Sequence, residues 1–197
     1  MNEDKLTIDL LDGDSALQAI EKVGEIADSH QIKWALCGGI AMVIYGSPRL
    51  TKDVDIIASS QLPLAQSEII GHLKQGGDHF KVETSKQAVS IDWILRNDEA
   101  KKFYQEALKD SVILKSIPIL TPEWLVILKY IAGRFKDQED AVFLLSQKEL
   151  VNRQKIKELF IRVAGQDAWG AVKFGLQRWY DLADGETKKN DSDLIDS

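Results

Sequence analysis

The run from Trp34 to Ala58 constrains the fold more than any other part of the chain. Trp34-Ala35-Leu36-Cys37 is a short unbroken apolar run that ends in Gly38-Gly39. Such a run reads as a buried strand entering a tight turn. Ile40 to Tyr45 has the length of a short helix and is closed by Gly46-Ser47-Pro48, and Asp53 to Ala58 reads as the next strand. Strand, turn, helix and strand in such close succession read as a mixed α/β (α+β) class.

The second strand carries chemistry as well as structure. Asp53 and Asp55 flank Val54, and residues two apart on a strand point to the same face. Both carboxylates therefore project together, while Val54 and Ile56 face the other way. Two like charges side by side repel, so a compensating cation is expected. Oxygen-only ligands suit Mg²⁺ or Mn²⁺. Asp92 joins them as a third carboxylate, because it interrupts the apolar strand Val89 to Leu95, where a lone charge would be costly. Carboxylates on adjacent strands suit two-metal phosphoryl displacement. Gly38-Gly39 would let a phosphate approach unhindered backbone N–H groups at a helix start. Arg49, in the connection leading to the aspartates, could fork onto a phosphate.

The remainder of the chain divides in two. Ser15 to Gln18 fits a capping box opening a helix to about Ser29, with Leu17, Ile20, Val23 and Ala27 on one face. Leu64 to Leu73 reads as helical, ended by a Gly76-Gly77-Asp78 turn. Phe80 to Thr84 and Val89 to Leu95 read as a strand pair. Asn97 is the expected cap of the next helix, with Asp98 and Glu99 in its first turn. Val112 to Leu114 and Ile117 to Leu120 are short strands. Thr121-Pro122-Glu123 is a helix start with Pro122 at the first helical position. From there to Tyr180 the pattern is helical, in about four segments. The expected organisation is a core over residues 14–120, a helical part over 121–182 packed on it, and a polar tail over 183–197 that reads as disordered.

Composition excludes several classes. The chain has 197 residues and a net charge of −6, so it carries no general basic footprint for nucleic acid. Its single cysteine, Cys37, rules out an internal disulfide framework and reads as a small buried residue. His30, His72 and His79 show no metal-ligand spacing, and the last two read as surface residues. No apolar run is long enough to span a membrane, and the opening Met-Asn-Glu-Asp-Lys-Leu shows no targeting segment. The cytoplasm is the expected location, with no membrane partner.

The stretch from Trp34 through Gly38-Gly39 to Asp53-Val54-Asp55-Ile56 resembles the first motif of the DNA polymerase β-like nucleotidyltransferase superfamily: a Gly-Gly or Gly-Ser turn, a helix, then Asp-x-Asp. With Arg49 and Thr51 ahead of Asp53, it is similar to the bacterial branch that includes AbiEii-type toxins. A supporting second motif is Lys129 followed by Arg134-Phe135-Lys136-Asp137-Gln138-Glu139-Asp140. The resemblance covers about residues 30–145. It implies a nucleotidyltransferase fold with a mixed sheet flanked by helices and a helical C-terminal part. It implies Asp53, Asp55 and Asp92 as catalytic residues and ligands of Mg²⁺ or Mn²⁺, with Asp92 a candidate base. Gly38, Gly39, Arg49, Thr51, Lys129 and Asp137 are then the nucleotide-binding set, Asp137 positioning Lys129. The implied activity is transfer of a nucleotidyl group from a nucleoside triphosphate to an acceptor hydroxyl. The branch adds tRNA as acceptor and an antitoxin protein as partner.

Plainer readings stand beside these. Lys129 also fits the solvent face of a helix whose core face is Trp124, Leu125, Leu128 and Ile131. Lys136 and Asp140, four apart, fit a surface pair, and Arg134 with Asp137 fits a tie between helices. Trp169 and Trp179 suit the inner face of the last helices. The same carboxylates suit a nucleotidyltransferase acting on small molecules of the antibiotic type, and a non-catalytic binding module would keep the fold without the reaction.

Overall fold

The computed structural model describes residues 11–185. They form a mixed α/β chain, the class read from the sequence, in the order α1 (Gly13–Ser29), β1 (Trp34–Cys37), α2 (Gly38–Ile44), β2 (Asp53–Ala58), β3 (Ile69–His72), β4 (Gly77–Glu83), β5 (Ala88–Ile94), α3 (Lys101–Lys109), β6 (Val112–Leu114), β7 (Ile117–Ile119), α4 (Pro122–Ala132), α5 (Phe135–Ser146) and α6 (Arg153–Ala183). The chain separates into two compact units between Thr121 and Pro122.

In the first unit the described strands form one seven-stranded sheet in the order β3-β4-β5-β2-β1-β7-β6. It is mixed: β2 runs parallel to β5 and β1 parallel to β7, while the other neighbours are antiparallel. Alternation sets the two faces. Val54, Ile56, Ile91 and Trp93 are fully buried, whereas Asp53, Asp55, Ser90 and Asp92 between them are only half-buried. β1 is buried at all four positions, as an unbroken apolar run in a central strand requires. α1 packs against β4 and β5, and α3 against β2.

Several expectations are corrected. The helix over Leu64 to Leu73 is instead a 3-10 turn at Gln66–Glu68 followed by β3, an edge strand irregular near Gly71. β-branched Ile69 and Ile70 and then Gly71 disfavour a helix, and pairing with β4 takes up the backbone. Gly77 opens β4, and Gly76 lies in the bend before it rather than ending a helix. α1 is capped by Asp12, whose carboxylate accepts from the N–H groups of Asp14 and Ser15 at 3.1 and 3.2 Å. Ser15 is therefore a buried helical residue rather than the cap. Leu17 lies outside the core stripe of α1, which runs through Ala16, Ala19, Ile20, Val23 and Ala27. Asn97 does not cap α3, which starts at Lys101. There Asp98 accepts from the Ala100 N–H and is gripped by Arg96.

The second unit is helical. Pro122 occupies the first position of α4, which is buried continuously from Pro122 to Lys129. Buried Glu123 accepts from the Asn152 N–H and from Lys155 Nζ, both at 3.2 Å, which ties α4 to the start of α6. Trp179 meets the Tyr130 ring edge-on at 4.9 Å and Trp169 meets Phe160 at 6.0 Å, so both tryptophans face inward. α6 is broken at Gly165 (φ 88°, ψ 170°), so the helical part has four segments. The expected tail over 183–197 falls mostly on residues 186–197, outside the described residues; α6 itself runs through Ala183.

Only glycine readily holds the Gly165 conformation. Gly165→Ala is expected to lower the unfolding free energy by about 1–3 kcal/mol, read from urea denaturation. An unchanged midpoint would mean that α6 runs straight through this position.

Candidate active site

The site is built from β2, β4, β5 and the turn into α2. β2 and β5 are paired in register, Asp53 opposite Ser90 and Asp55 opposite Asp92. Asp55 and Asp92 therefore stand side by side on one face, their backbones about 4.8 Å apart by strand spacing. Asp53 lies one pleat repeat along the same face. The three carboxylates predicted from sequence are thus brought onto one surface of the sheet.

Each carboxylate has a donor from a different segment. The Thr51 hydroxyl lies 3.0 Å from Asp53 Oδ1. The Gly39 N–H donates to Asp55 Oδ2 at 3.2 Å. His79 Nδ1 lies 2.6 Å from Asp92 Oδ1. An ionised carboxylate only accepts, so Nδ1 is the donor in this contact.

The Gly38-Gly39 turn, read from the sequence as a tight turn open to a phosphate, also has a cause in packing. Gly38 sits at φ 57°, and a Cβ there would overlap the carboxylate of Asp55. A Cβ on Gly39 would likewise overlap the Thr51 side chain. The turn is therefore packed directly on the acidic strand, and the Gly39 N–H is directed at Asp55. Arg49 reaches the same place, with its guanidinium 3.6 Å from the position a Gly39 Cβ would take. Gly38, Gly39, Arg49, Thr51, Asp53, Asp55 and Asp92 form one neighbourhood.

Lys129 and Asp137 belong to the helical unit, where they meet each other. Lys129 is buried, with Nζ 3.1 Å from Asp137 Oδ1 and 2.5 Å from Asp140 Oδ2. The solvent-face reading of Lys129 is thereby corrected, as is the surface pairing of Lys136 with Asp140. Arg134 Nε closes the cluster at 2.6 Å from Asp137 Oδ2. Burial pushes the Asp137 carboxyl up, but the Arg134 hydrogen bonds and the Lys129 charge outweigh it and hold the group below the ordinary carboxylate range.

His79 is the residue that sequence reading missed. It was read as a surface residue, yet it stands opposite Asp92 in the β4–β5 register. Counting back from the Thr84–Gln87 turn through the pair Glu83 and Ala88 leads to His79 and Asp92. Treating Gly76-Gly77 as the end of a helix concealed that count.

Among the described residues, no three acidic, imidazole or thiol groups converge tightly enough to enclose a cation by themselves. Mg²⁺ is commonly held by one or two carboxylates together with water and substrate phosphates. The carboxylate face fits that kind of shared site and not an all-protein cage. No helix among the described residues is long and apolar enough to cross a membrane.

No family model and no curated protein sequence matches the chain. Among solved structures, an antigenic nucleotidyltransferase-like protein from Paracoccidioides brasiliensis is similar with a TM-score of 0.47 at 16% identity, over 85% of this chain and 94% of that one. The antibiotic-resistance factor ANT(2'')-Ia is similar with a TM-score of 0.42 at 12% identity, over 84% of this chain and 98% of that one. Both scores lie below 0.5, so the weight of any functional reading falls on the carboxylate face.

Two outcomes test this geometry. Gly38→Ala is expected to destabilise the chain by about 1–3 kcal/mol through overlap with Asp55 and backbone strain, whereas Gly13→Ala, where a Cβ meets nothing, should be neutral or stabilising. Equal unfolding midpoints for the two variants would contradict the packing of the turn on Asp55. In the helical unit, a carboxyl held below its unfolded value contributes stability that is complete above that value, about 4, and is lost as pH falls through the lowered folded value. Acid unfolding of wild type should therefore show a component that Asp137→Asn removes. Lys129→Ala, which leaves two buried carboxylates facing each other, should cost about 3–5 kcal/mol.

Proposed function

We propose that the β2–β5 carboxylate face is the centre of a metal-dependent nucleotidyltransferase, moving a nucleotidyl group from a nucleoside triphosphate to an acceptor hydroxyl. One observation carries the reading: Asp55 and Asp92 occupy adjacent register positions on parallel strands, with Asp53 on the same face. A stable fold gains nothing from placing three carboxylates there, because like charges disfavour one another's ionised forms. Their side-by-side presence suits divalent-cation and triphosphate chemistry.

Asp53, Asp55 and Asp92 are the residues that would hold Mg²⁺ or Mn²⁺. Such an ion would neutralise triphosphate charge and lower the pKa of the attacking hydroxyl. The chain's own residues supply the rest. Asp92 takes the proton of the acceptor hydroxyl. The hydroxyl oxygen then bonds to the α-phosphorus, and the bond from that phosphorus to the oxygen bridging the β-phosphate breaks. Pyrophosphate leaves with the electron pair. Arg49, beside the Gly38-Gly39 turn, binds a phosphate oxygen, and the turn itself holds Asp55 in place through the Gly39 N–H. Thr51 keeps the Asp53 carboxylate oriented.

For the acceptor we propose the 3′ end of a tRNA, with the chain acting as the toxin of a pair neutralised by an antitoxin protein. Support comes from the likeness of the Arg49–Asp55 run to the AbiEii branch. The net charge of −6 argues against broad RNA affinity.

A second reading has its own support. Asp92 already accepts from His79, and no three groups among the described residues enclose a cation. Both facts suit a non-catalytic module that keeps the fold and works through a partner.

The test is label transfer from each α-labelled nucleoside triphosphate, with Mg²⁺ or Mn²⁺, to total RNA and to a panel of aminoglycoside-like small molecules. Wild type is expected to label RNA, with Asp53→Ala and Asp55→Ala reduced by more than about 100-fold while their circular dichroism stays unchanged. Labelling of small molecules alone would keep the reaction and overturn the tRNA acceptor. Transfer retained by the aspartate variants would remove the metal site, and no metal-dependent nucleotide binding by wild type would favour the non-catalytic module.

A further inference from the structure

We propose that His79 is a positioning residue for the reaction, holding the Asp92 carboxylate in its working orientation; this rests on the reading of the carboxylate face given above. The donor comes from a neighbouring strand rather than from a loop. His79 and Asp92 are direct partners in the β4–β5 register, and the Nδ1–Oδ1 separation of 2.6 Å is that of a strong hydrogen bond. Side-chain exposures of 32% for His79 and 24% for Asp92 put the pair at the surface of the site, not in the core.

The row of side chains across the sheet gives this contact its direction. Asp55, Asp92 and His79 occupy successive register positions on β2, β5 and β4. Asp55 is steadied from the turn side by the Gly39 N–H, and Asp92 from the opposite side by the imidazole. An Asp on a strand can turn about χ1 and χ2. A donor fixed to one oxygen removes that freedom and leaves the second oxygen as the outward acceptor. Phosphoryl transfer depends mainly on positioning and charge placement, so losing this restraint should lower turnover more than nucleotide affinity. A second pair, His72 with Asp78, has the same 2.6 Å separation. Asp78 is adjacent to His79 on β4 and pairs with buried Trp93, so it points to the other face and serves as a comparison.

The experiment uses the full chain and three variants, His79→Ala, His79→Gln and His79→Asn. An Asn amide nitrogen can take the place of Nδ1, whereas a Gln amide extends to the place of Nε2. Transfer by the Ala and Gln variants should fall about 10–100-fold in kcat, the usual effect of removing an orienting partner, with KM for the nucleotide little changed. His79→Asn should recover most of the loss. His72→Ala should leave kcat as in wild type. A readout independent of activity is the downfield Nδ1 proton of His79 in NMR spectra of the ligand-free chain, expected in wild type and lost in Asp92→Ala, which removes the acceptor. Wild-type kcat in all three His79 variants, or an Asn variant as slow as the Ala variant, would overturn the positioning role and leave the nucleotidyltransferase reading in place. Persistence of the proton resonance in Asp92→Ala would overturn it too. A wild type that transfers nothing would remove the reading itself, and the positioning role with it.

Discussion

Two carboxylates, Asp55 and Asp92, stand beside each other on parallel strands, and the surrounding first unit is arranged to hold them there. Their repulsion has to be offset by donors or cations close at hand. The turn after β1 supplies a backbone N–H to Asp55 and can approach only because Gly38 has no side chain. The connection before β2 supplies Thr51 to Asp53, and β4 supplies His79 to Asp92. The opposite face of the same strands is fully buried at Val54, Ile56, Ile91 and Trp93. That burial fixes the register, since a slip of one residue would turn the carboxylates into the core. The hydrophobic pattern thus sets the position of the acidic face.

Much of this was legible in the sequence because it is encoded locally. β1 and β2 were read with their observed bounds, since a four-residue apolar run before Gly-Gly and a strand alternating about Val54 have few other outcomes. Asp92 stood out because it interrupts an apolar strand, and the register sets it beside Asp55. Pro122 marked the start of α4 for an equally local reason. What escaped depends on pairing between segments. β3 reads as a helix until it is seen lying against β4, and His79 reads as surface until the β4–β5 register sets it opposite Asp92. The glycine requirement was visible, but its cause was not, because Asp55 lies far along the chain from Gly38.

The helical unit follows the same physics with charge moved indoors. Lys129 lies in a helix buried on all sides through its first eight residues, and an ammonium there needs partners. Asp137 and Asp140, a turn apart on α5, provide them, and Arg134 completes the balance around Asp137. The family resemblance grouped these residues. Spacing alone could not separate a surface ladder from a buried cluster, because burial of α4 is a property of the packed helices.

We propose that the acidic face binds a divalent cation together with a triphosphate. This is tested most directly by electron paramagnetic resonance of Mn²⁺ with the full chain, with and without a non-hydrolysable nucleoside triphosphate. A shared site predicts weak Mn²⁺ binding by the chain alone and much tighter retention when nucleotide is present, lost in Asp53→Ala/Asp55→Ala. Mn²⁺ retention that is the same in wild type and in this double variant, with nucleotide present, would contradict it.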